Sequence, residues 1–386
     1  MLSPAPLIET SGREVILDVN FVEEMKLLCQ FWPGRVVCIL RRGADQIAHG
    51  VRYSPRRLGF HLVVLDPDAP LPELLIEEAA LVYCAADDLR ALRLPDQMRG
   101  RPTRLVFTLE GPPRQRLSKV LSDRQRPVVA RLRTALGLLR YEHALRAALR
   151  AADGVHFNGF PAQQAYRRLN RASLMYLDNR IRTPMLARAA DQQVRADLLR
   201  TGAPLRLIHM GPFEMASGVL DLLQAAYLLK LRGVAFTLEL FGNGSLDGRL
   251  RDGIAALGMD DRVTLAGNPG FGAALAPHLR KGADLLLSAR RADDPDPVYL
   301  EAMGCGVPVL GYANGMWRRL HAESGGGWLC RSGSVAALSS TLALLDTDRE
   351  AIIRASSRAL SYARGHTFES VFSRRMSHLR EIARLD

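Results

Sequence analysis

Residues 283–315 read ADLLLSARRADDPDPVYLEAMGCGVPVLGYANG, and the order of residue types in this stretch sets the fold class. The run 284–287 is strand-sized and bounded by small and charged residues, as in a strand covered on both faces. Prolines and aspartates then make a loop, and a short helix is expected to begin near Val298, with Glu301 in its second turn. Gly304, Gly306 and Pro308 shape a tight turn into a further strand at 307–310. Strand, loop, helix and strand in this order form one unit of a parallel α/β sheet. A helix N-terminus there offers unpaired N–H groups and a positive dipole end to a phosphate. A carboxylate on that helix suits the paired hydroxyls of a ribose.

The same rhythm extends in both directions. Runs at 205–210, 235–241, 262–265 and 327–329 read as further strands separated by helix-like segments, and 334–386 reads as successive helices. Upstream, 14–18, 35–40, 61–65, 81–84, 104–109, 154–157 and 174–177 are strand-sized, with helix-like stretches at 21–31 and after Pro127. A polar helical stretch, 183–200, leads into Thr201-Gly202-Ala203-Pro204, a turn cluster that reads as an interdomain linker. At 386 residues the chain has room for two domains with full cores. The expected boundaries are an N-terminal domain at 1–200, a second domain at 204–365, and a C-terminal helix at 366–386 packing back on the first. Two doubly wound domains predict a ligand cleft between them, at the carboxyl ends of the strands. No short-period repeat is present, which excludes solenoids and propellers.

With 48% hydrophobic and 24% charged residues, the composition is that of a folded globular chain. No apolar run approaches the ~20 residues of a membrane span, and the first ten residues lack the pattern of a secretory leader. The expected location is the cytoplasm, including the inner face of the cytoplasmic membrane. The five cysteines are odd in number and widely spaced, and the nine histidines show no ligand spacing, so neither a disulfide framework nor a structural metal is expected. Net charge is +12, and residues 113–150 carry ten basic side chains against Asp123 and Glu142. After Pro127, the residues Val128, Leu132, Leu136, Leu139 and His143 recur at helical spacing with arginines between them. Two readings stand: a solvated helix face packed on its own domain, or a basic amphipathic helix on an anionic membrane surface. Nucleic acid is not an expected partner, since no zinc-finger or RNP-type motif occurs and aromatic residues make up 6% of the chain.

Asp293 and Glu301 stand eight apart before the glycine turn and Pro308-Val309. This resembles the E-x7-E segment of glycosyltransferase family 4, retaining enzymes of the GT-B fold, with Asp293 in place of the first glutamate. The resemblance runs through the C-terminal half: 205–211 with Ser217-Gly218 and the helix 219–231, then Leu238 to Gly244 with its G-x-G turn, then 263–267, whose loop meets the nucleobase in that family. The resemblance implies two Rossmann-like domains and a sugar transferred from a nucleotide diphosphate, UDP- or GDP-linked, with no other cofactor. The implied acceptor is a saccharide or lipid-linked hydroxyl. It implies Glu301 at the ribose, Asp293 and Asp294 at the sugar, and Gly211, Ser217, Gly218, Arg291, Tyr299 and Leu300 around the donor.

One departure bears on chemistry. The family carries an arginine just after the first glycine and a lysine before the second, which neutralise the donor diphosphate; here those places read Gly211-Pro212 and Ser217-Gly218. Loss of two cations weakens stabilisation of a departing pyrophosphate. The candidate replacements are Arg290 and Arg291, or Arg180 and Arg182. In the N-terminal half, Glu110 is a candidate base or orienting carboxylate for an acceptor. Gly12, His156, Asn179 and Arg180 are candidates for the acceptor side, with an ordinary turn as the alternative for Gly12 and a core histidine for His156. Three functions follow: a retaining hexosyltransferase of polysaccharide or glycolipid synthesis, a catalytically silent GT-B protein binding a glycan, nucleotide or partner transferase, and an isomerase or epimerase on the same fold.

Overall fold

The computed structural model describes all residues except 11–13, 44–46, 48, 49, 87, 88, 123–126 and 386. The chain forms two compact units: Met1–Asn158 with Ala162–Tyr176 and Phe372–Asp386, and Gly159–Pro161 with Leu177–Val371.

In the first unit, Val37–Arg41 pairs in parallel with His61–Leu65, and Leu81–Ala85, Arg104–Glu110, Gly154–Asn158 and Ser173–Tyr176 form a parallel four-stranded sheet. Leu2 makes parallel bridges to both Ile39 and Cys84, so the chain start joins the two sets. The residues expected as a first parallel strand, 14–18, instead form Val15–Asp18, the centre of an antiparallel three-stranded sheet with Ile8–Glu9 and Gly50–Tyr53. Leu2 already holds the parallel position, and the short connection from Glu9 allows only a hairpin. Phe107, Leu109, Leu145, Leu149, Val155 and Phe157 build the core beneath the long helix Val128–Ala151.

The second unit is a six-stranded parallel sheet ordered Val263–Leu265, Phe236–Phe241, Leu205–Met210, Leu285–Ser288, Val309–Tyr312, Gly327–Cys330. In chain order this is 3-2-1-4-5-6, with the reversal between Leu205–Met210 and Leu285–Ser288. Leu207, Leu238, Leu240, Leu285 and Leu287 pack against Val219, Leu222, Ala226 and Leu229 of the helix Val219–Leu231.

The division falls after Tyr176, upstream of the 201–204 turn, because the helix Ala189–Arg200 is bound into the second unit by Arg195. That guanidinium is buried and donates to the carbonyls of Leu279, Arg280, Ala283, Cys305 and Gly306. In the first unit, buried Arg375 of the helix Phe368–Ala383 reaches Glu24 and the Tyr83 hydroxyl, both at 3.1 Å.

Candidate functional site

The reversal in strand order directs attention to the loops after Met210 and Ser288, since ligands of open α/β sheets bind outside the carboxyl ends of strands at such a point. The loop after Met210 is stitched to its neighbours by backbone: Gly211 N–H donates to Phe241 O, Phe213 N–H to Asn243 O, and Gly242 N–H to Gly267 O. A Cβ at Gly242 would lie 1.9 Å from Gly211 O, so the G-x-G glycine is required by close approach of two loops. Gly218 has φ of 72°, and a Cβ there would lie 2.3 Å from Ala289 O. That contact brings the start of the helix Val219–Leu231 against the loop after Ser288. Ser217 closes the turn by donating to Glu214 O at 2.7 Å.

Across the reversal, the acidic loop is a network of its own. Arg290 pairs with Asp294 at 2.7 Å and with Asp296 at 2.9 Å. Burial pushes the Asp296 carboxyl up to about 6 against the opposing pull of Arg290. Asp294 Oδ1 is buried and has no hydrogen-bond partner among the described residues. Asp293 accepts the Gly315 N–H at the start of the helix Gly315–Ser324. Asn314, the N-cap of that helix, accepts from Trp317 N and donates to Arg290 O and the Tyr299 hydroxyl. Arg291 pairs with Asp221 in the first turn of the helix Val219–Leu231, at 2.7 Å.

Glu301, in the helix Val298–Gly304, is fully buried. Its carboxylate accepts a forked pair from Arg180, Nε at 2.7 Å and Nη2 at 2.8 Å, with the Arg180 main-chain N–H at 3.3 Å. The Arg180 guanidinium also lies 5.0 Å from the centroid of the Phe271 ring.

The structure thus gathers Gly211, Ser217, Gly218, Arg291, Asp293, Asp294 and Glu301 on elements of the second unit around the strand reversal. Arg180 is there too, bound to Glu301. Tyr299 and Leu300 are core: Tyr299 stacks on Trp317 at 5.2 Å, burial pushes its hydroxyl up to about 12, and neither side chain is open to a ligand. Asn179 is spent on its own turn, donating to Leu177 O and His366 O and accepting Ile181 N–H. The candidate replacement cations Arg290, Arg291 and Arg180 each hold a carboxylate, and Arg182 lies over the Phe368 ring.

Other candidates lie in the first unit. Glu110 is exposed at the end of its strand and accepts Asn158 Nδ2 at 2.7 Å. His156 is fully buried between the Tyr83 and Tyr176 rings, 3.0 Å from His378, and burial holds it neutral well below the ordinary histidine range. It is a core histidine. Gly12 lies outside the described residues. An apolar cavity of about 570 Å³, lined by Leu28, Trp32, Leu71, Leu81 and Met376, sits at the amino ends of the strands, opposite the end that binds ligands in such sheets.

His209 was not singled out by pattern. It is buried one residue before the end of its strand, with Nδ1 3.1 Å from Leu287 O and Nε2 buried without a hydrogen-bond partner among the described residues. Burial lowers it to about 4. The neutral ring donates Nδ1–H to the carbonyl, which leaves Nε2 a bare acceptor 3.7 Å from the Cβ position of Gly211. The available sign in the sequence was its place two residues before Gly211.

Residues 191–362 match the family "Glycosyl transferases group 1". The amylovoran biosynthesis glycosyltransferase AmsK of Erwinia amylovora is 30% identical over 145 residues, 36% of this chain and 35% of that protein. The chain therefore matches about a third of that relative's length. Among solved structures, HepE of Anabaena in complex with UDP has a TM-score of 0.64 at 17% identity, covering 98% of this chain and 99% of that one. HepE has also been solved with UDP-glucose. Sucrose-phosphate synthase of Thermosynechococcus elongatus has a TM-score of 0.66 at 17% identity, covering 94% and 92%. The fold is α/β with parallel sheets, of the GT-B type these structures share, and residues 191–362 form a domain matching the glycosyl transferases group 1 family.

Proposed function

We propose that this protein is a retaining glycosyltransferase that moves a hexose from a UDP- or GDP-linked donor to a hydroxyl of a saccharide or lipid-linked acceptor in polysaccharide synthesis. The observation that carries the reading is the placement of Glu301, with Asp293 and Asp294, beside the strand reversal of a domain matching a glycosyltransferase family. Glu301 binds the ribose hydroxyls, and the unpartnered Asp294 Oδ1 accepts from a hydroxyl of the donor sugar. The sugar-nucleotide is substrate and no cofactor is needed. Catalysis then rests on positioning and on stabilising the departing diphosphate. HepE, solved with UDP and with UDP-glucose, is a precedent for the ligand.

The acceptor side rests on the basic helices of the first unit. Leu117 and Leu121 of the helix Pro113–Ser122, and Val128, Val129, Leu132, Leu136 and Leu139 of the helix Val128–Ala151, are all exposed. An apolar stripe edged by exposed Arg114, Arg133 and Arg140 suits an anionic bilayer that presents a lipid-linked acceptor at the inner face of the membrane. Among the described residues no helix is long and apolar enough to cross a membrane.

A thermal-shift panel of UDP, GDP, ADP, dTDP and their sugar conjugates tests the donor. A ligand at 100 times its dissociation constant adds about 2.7 kcal/mol, and Glu301→Ala is expected to remove the shift. Stabilisation that survives Glu301→Ala rejects the ribose assignment. A second reading, a catalytically silent nucleotide- or glycan-binding protein, is favoured by one observation: Arg180, Arg290 and Arg291 are each already neutralised by a carboxylate. Nucleotide binding without turnover of any sugar conjugate selects it.

A further inference from the structure

The Arg180–Glu301 pair is asymmetric in a way that bears on ligand entry. Glu301 is 0% exposed while the Arg180 side chain is 51% exposed, so the pair meets solvent through the arginine. The guanidinium offers two parallel N–H donors, Nε–H and Nη2–H, to the two carboxylate oxygens. Vicinal ribose hydroxyls approach a carboxylate with the same arrangement of two donors, so the arginine fork and a diol compete for the same lone pairs. The ring of Phe271, 5.0 Å away, supports the guanidinium in that position.

We infer that Arg180 is a built-in competitor that occupies the diol-binding face of Glu301 and must leave it before a nucleotide can bind; this rests on the assignment of Glu301 to the ribose. Arg180, Phe271 and Glu301 all belong to the second unit, so the contact is internal to the domain that holds the nucleotide. The residue is a gate on affinity. Without its side chain, the buried carboxylate keeps the main-chain N–H of residue 180 and loses the charged fork. An under-satisfied buried carboxylate gains more from two hydroxyl donors than a paired one does. Removal of the arginine therefore tightens binding of nucleotides that carry both hydroxyls and leaves dideoxynucleotides unaffected.

The test measures dissociation constants by calorimetry for UDP and GDP, each beside its 2′,3′-dideoxy counterpart. It compares the unaltered protein with Arg180→Ala, Arg180→Gln and Glu301→Gln. Arg180→Ala is expected to tighten the ribose-bearing nucleotide about tenfold or more, with no change for the dideoxy form. Arg180→Gln keeps one N–H donor for Glu301 and covers the case in which the alanine variant does not fold; a smaller tightening is expected. If both Arg180 variants bind unchanged or more weakly, while Glu301→Gln weakens only the ribose-bearing nucleotide, the gate is overturned and the ribose assignment stands. If removing the ribose hydroxyls changes nothing in the unaltered protein or in Glu301→Gln, the assignment fails and the gate with it. Failure of every form to bind either nucleotide has the same meaning.

Discussion

His209 shows how a single buried side chain sets a pH dependence. Its folded-state value, lowered by burial from 6.5 to about 4, means the unfolded chain binds a proton that the folded chain refuses between those limits. Stability therefore falls as pH drops from about 6.5 towards 4, by about 3 kcal/mol from this residue. His156 acts in the same direction. Asp296, raised from 3.8 to about 6, acts oppositely, because its folded form holds the proton longer and its contribution is lost as pH rises through that range. Comparing urea midpoints at pH 7 and pH 4.5 for the unaltered protein and His209→Gln separates the terms. The variant is expected to lose less stability on acidification, and an equal loss contradicts a neutral buried imidazole. In Asp294→Asn the amide oxygen can still accept from Arg290 while an NH2 donor replaces the buried Oδ1 acceptor, so weaker binding of a nucleotide sugar but not of the bare nucleotide is expected. Competition calorimetry with UDP and UDP-glucose reads that difference.

At the scale of elements, the buried side chain of Arg195 anchors the helix Ala189–Arg200, with Arg200 on Glu350 and Leu199 in the core beside it. Among the described residues Arg195 has five backbone carbonyl acceptors and no carboxylate in contact, and burial lowers it to about 10. Arg195→Ala removes the guanidinium donors from these buried carbonyls, of which Gly306 O keeps the Ser356 hydroxyl, and is expected to cost about 3–5 kcal/mol. Chemical denaturation measures it, and a loss below about 1 kcal/mol contradicts the anchoring role. The basic helices divide their charges differently. Arg116 turns inward to Tyr166 and Arg131 braces Leu121 O, whereas Arg133 and Arg140 stand exposed beside the apolar stripe. Flotation with phosphatidylcholine vesicles, with and without phosphatidylglycerol, is expected to show binding only with the anionic lipid. Arg133→Gln with Arg140→Gln removes about 2 kcal/mol, a ~30-fold loss. Binding that is indifferent to these charges rules out the electrostatic contact.

For the molecule as a whole, the last helix matters beyond its length. Residues 372–386 belong to the first unit, where Phe372, Met376 and Leu379 are buried and Arg375 holds Glu24 and Tyr83. A chain ending at residue 371 removes these groups from the first unit alone. Calorimetry is expected to show a lowered or absent transition for that unit and a retained one for the second. Uniform loss of both contradicts the division.

The strand pattern was readable because parallel strands buried on both faces are short apolar runs, and the six of the second unit fall within two residues of where the sequence placed them. The segment 293–315 announced its loop, helix and glycine turn because prolines, aspartates and glycines act through local backbone geometry. Local geometry cannot show which partner a charged side chain takes. Arg180 and Glu301 are 121 residues apart, and only folding puts one on the other. The same holds for Arg195, whose acceptors are carbonyls invisible to any residue pattern, and for Tyr299 and Leu300, whose helix is buried on every side. Periodicity identified an apolar stripe at Val128, Leu132, Leu136 and Leu139, but its direction depends on what packs behind it. Leu145, Ala148 and Leu149 enter the core, and the stripe faces solvent. Sequence by itself determined the α/β rhythm and the acidic, glycine-bounded segment, since both arise from neighbours along the chain. The pairing of the charges, the exposure of the stripe and the unit to which each end of the chain belongs were decided by tertiary structure, because each depends on contacts between residues far apart in sequence.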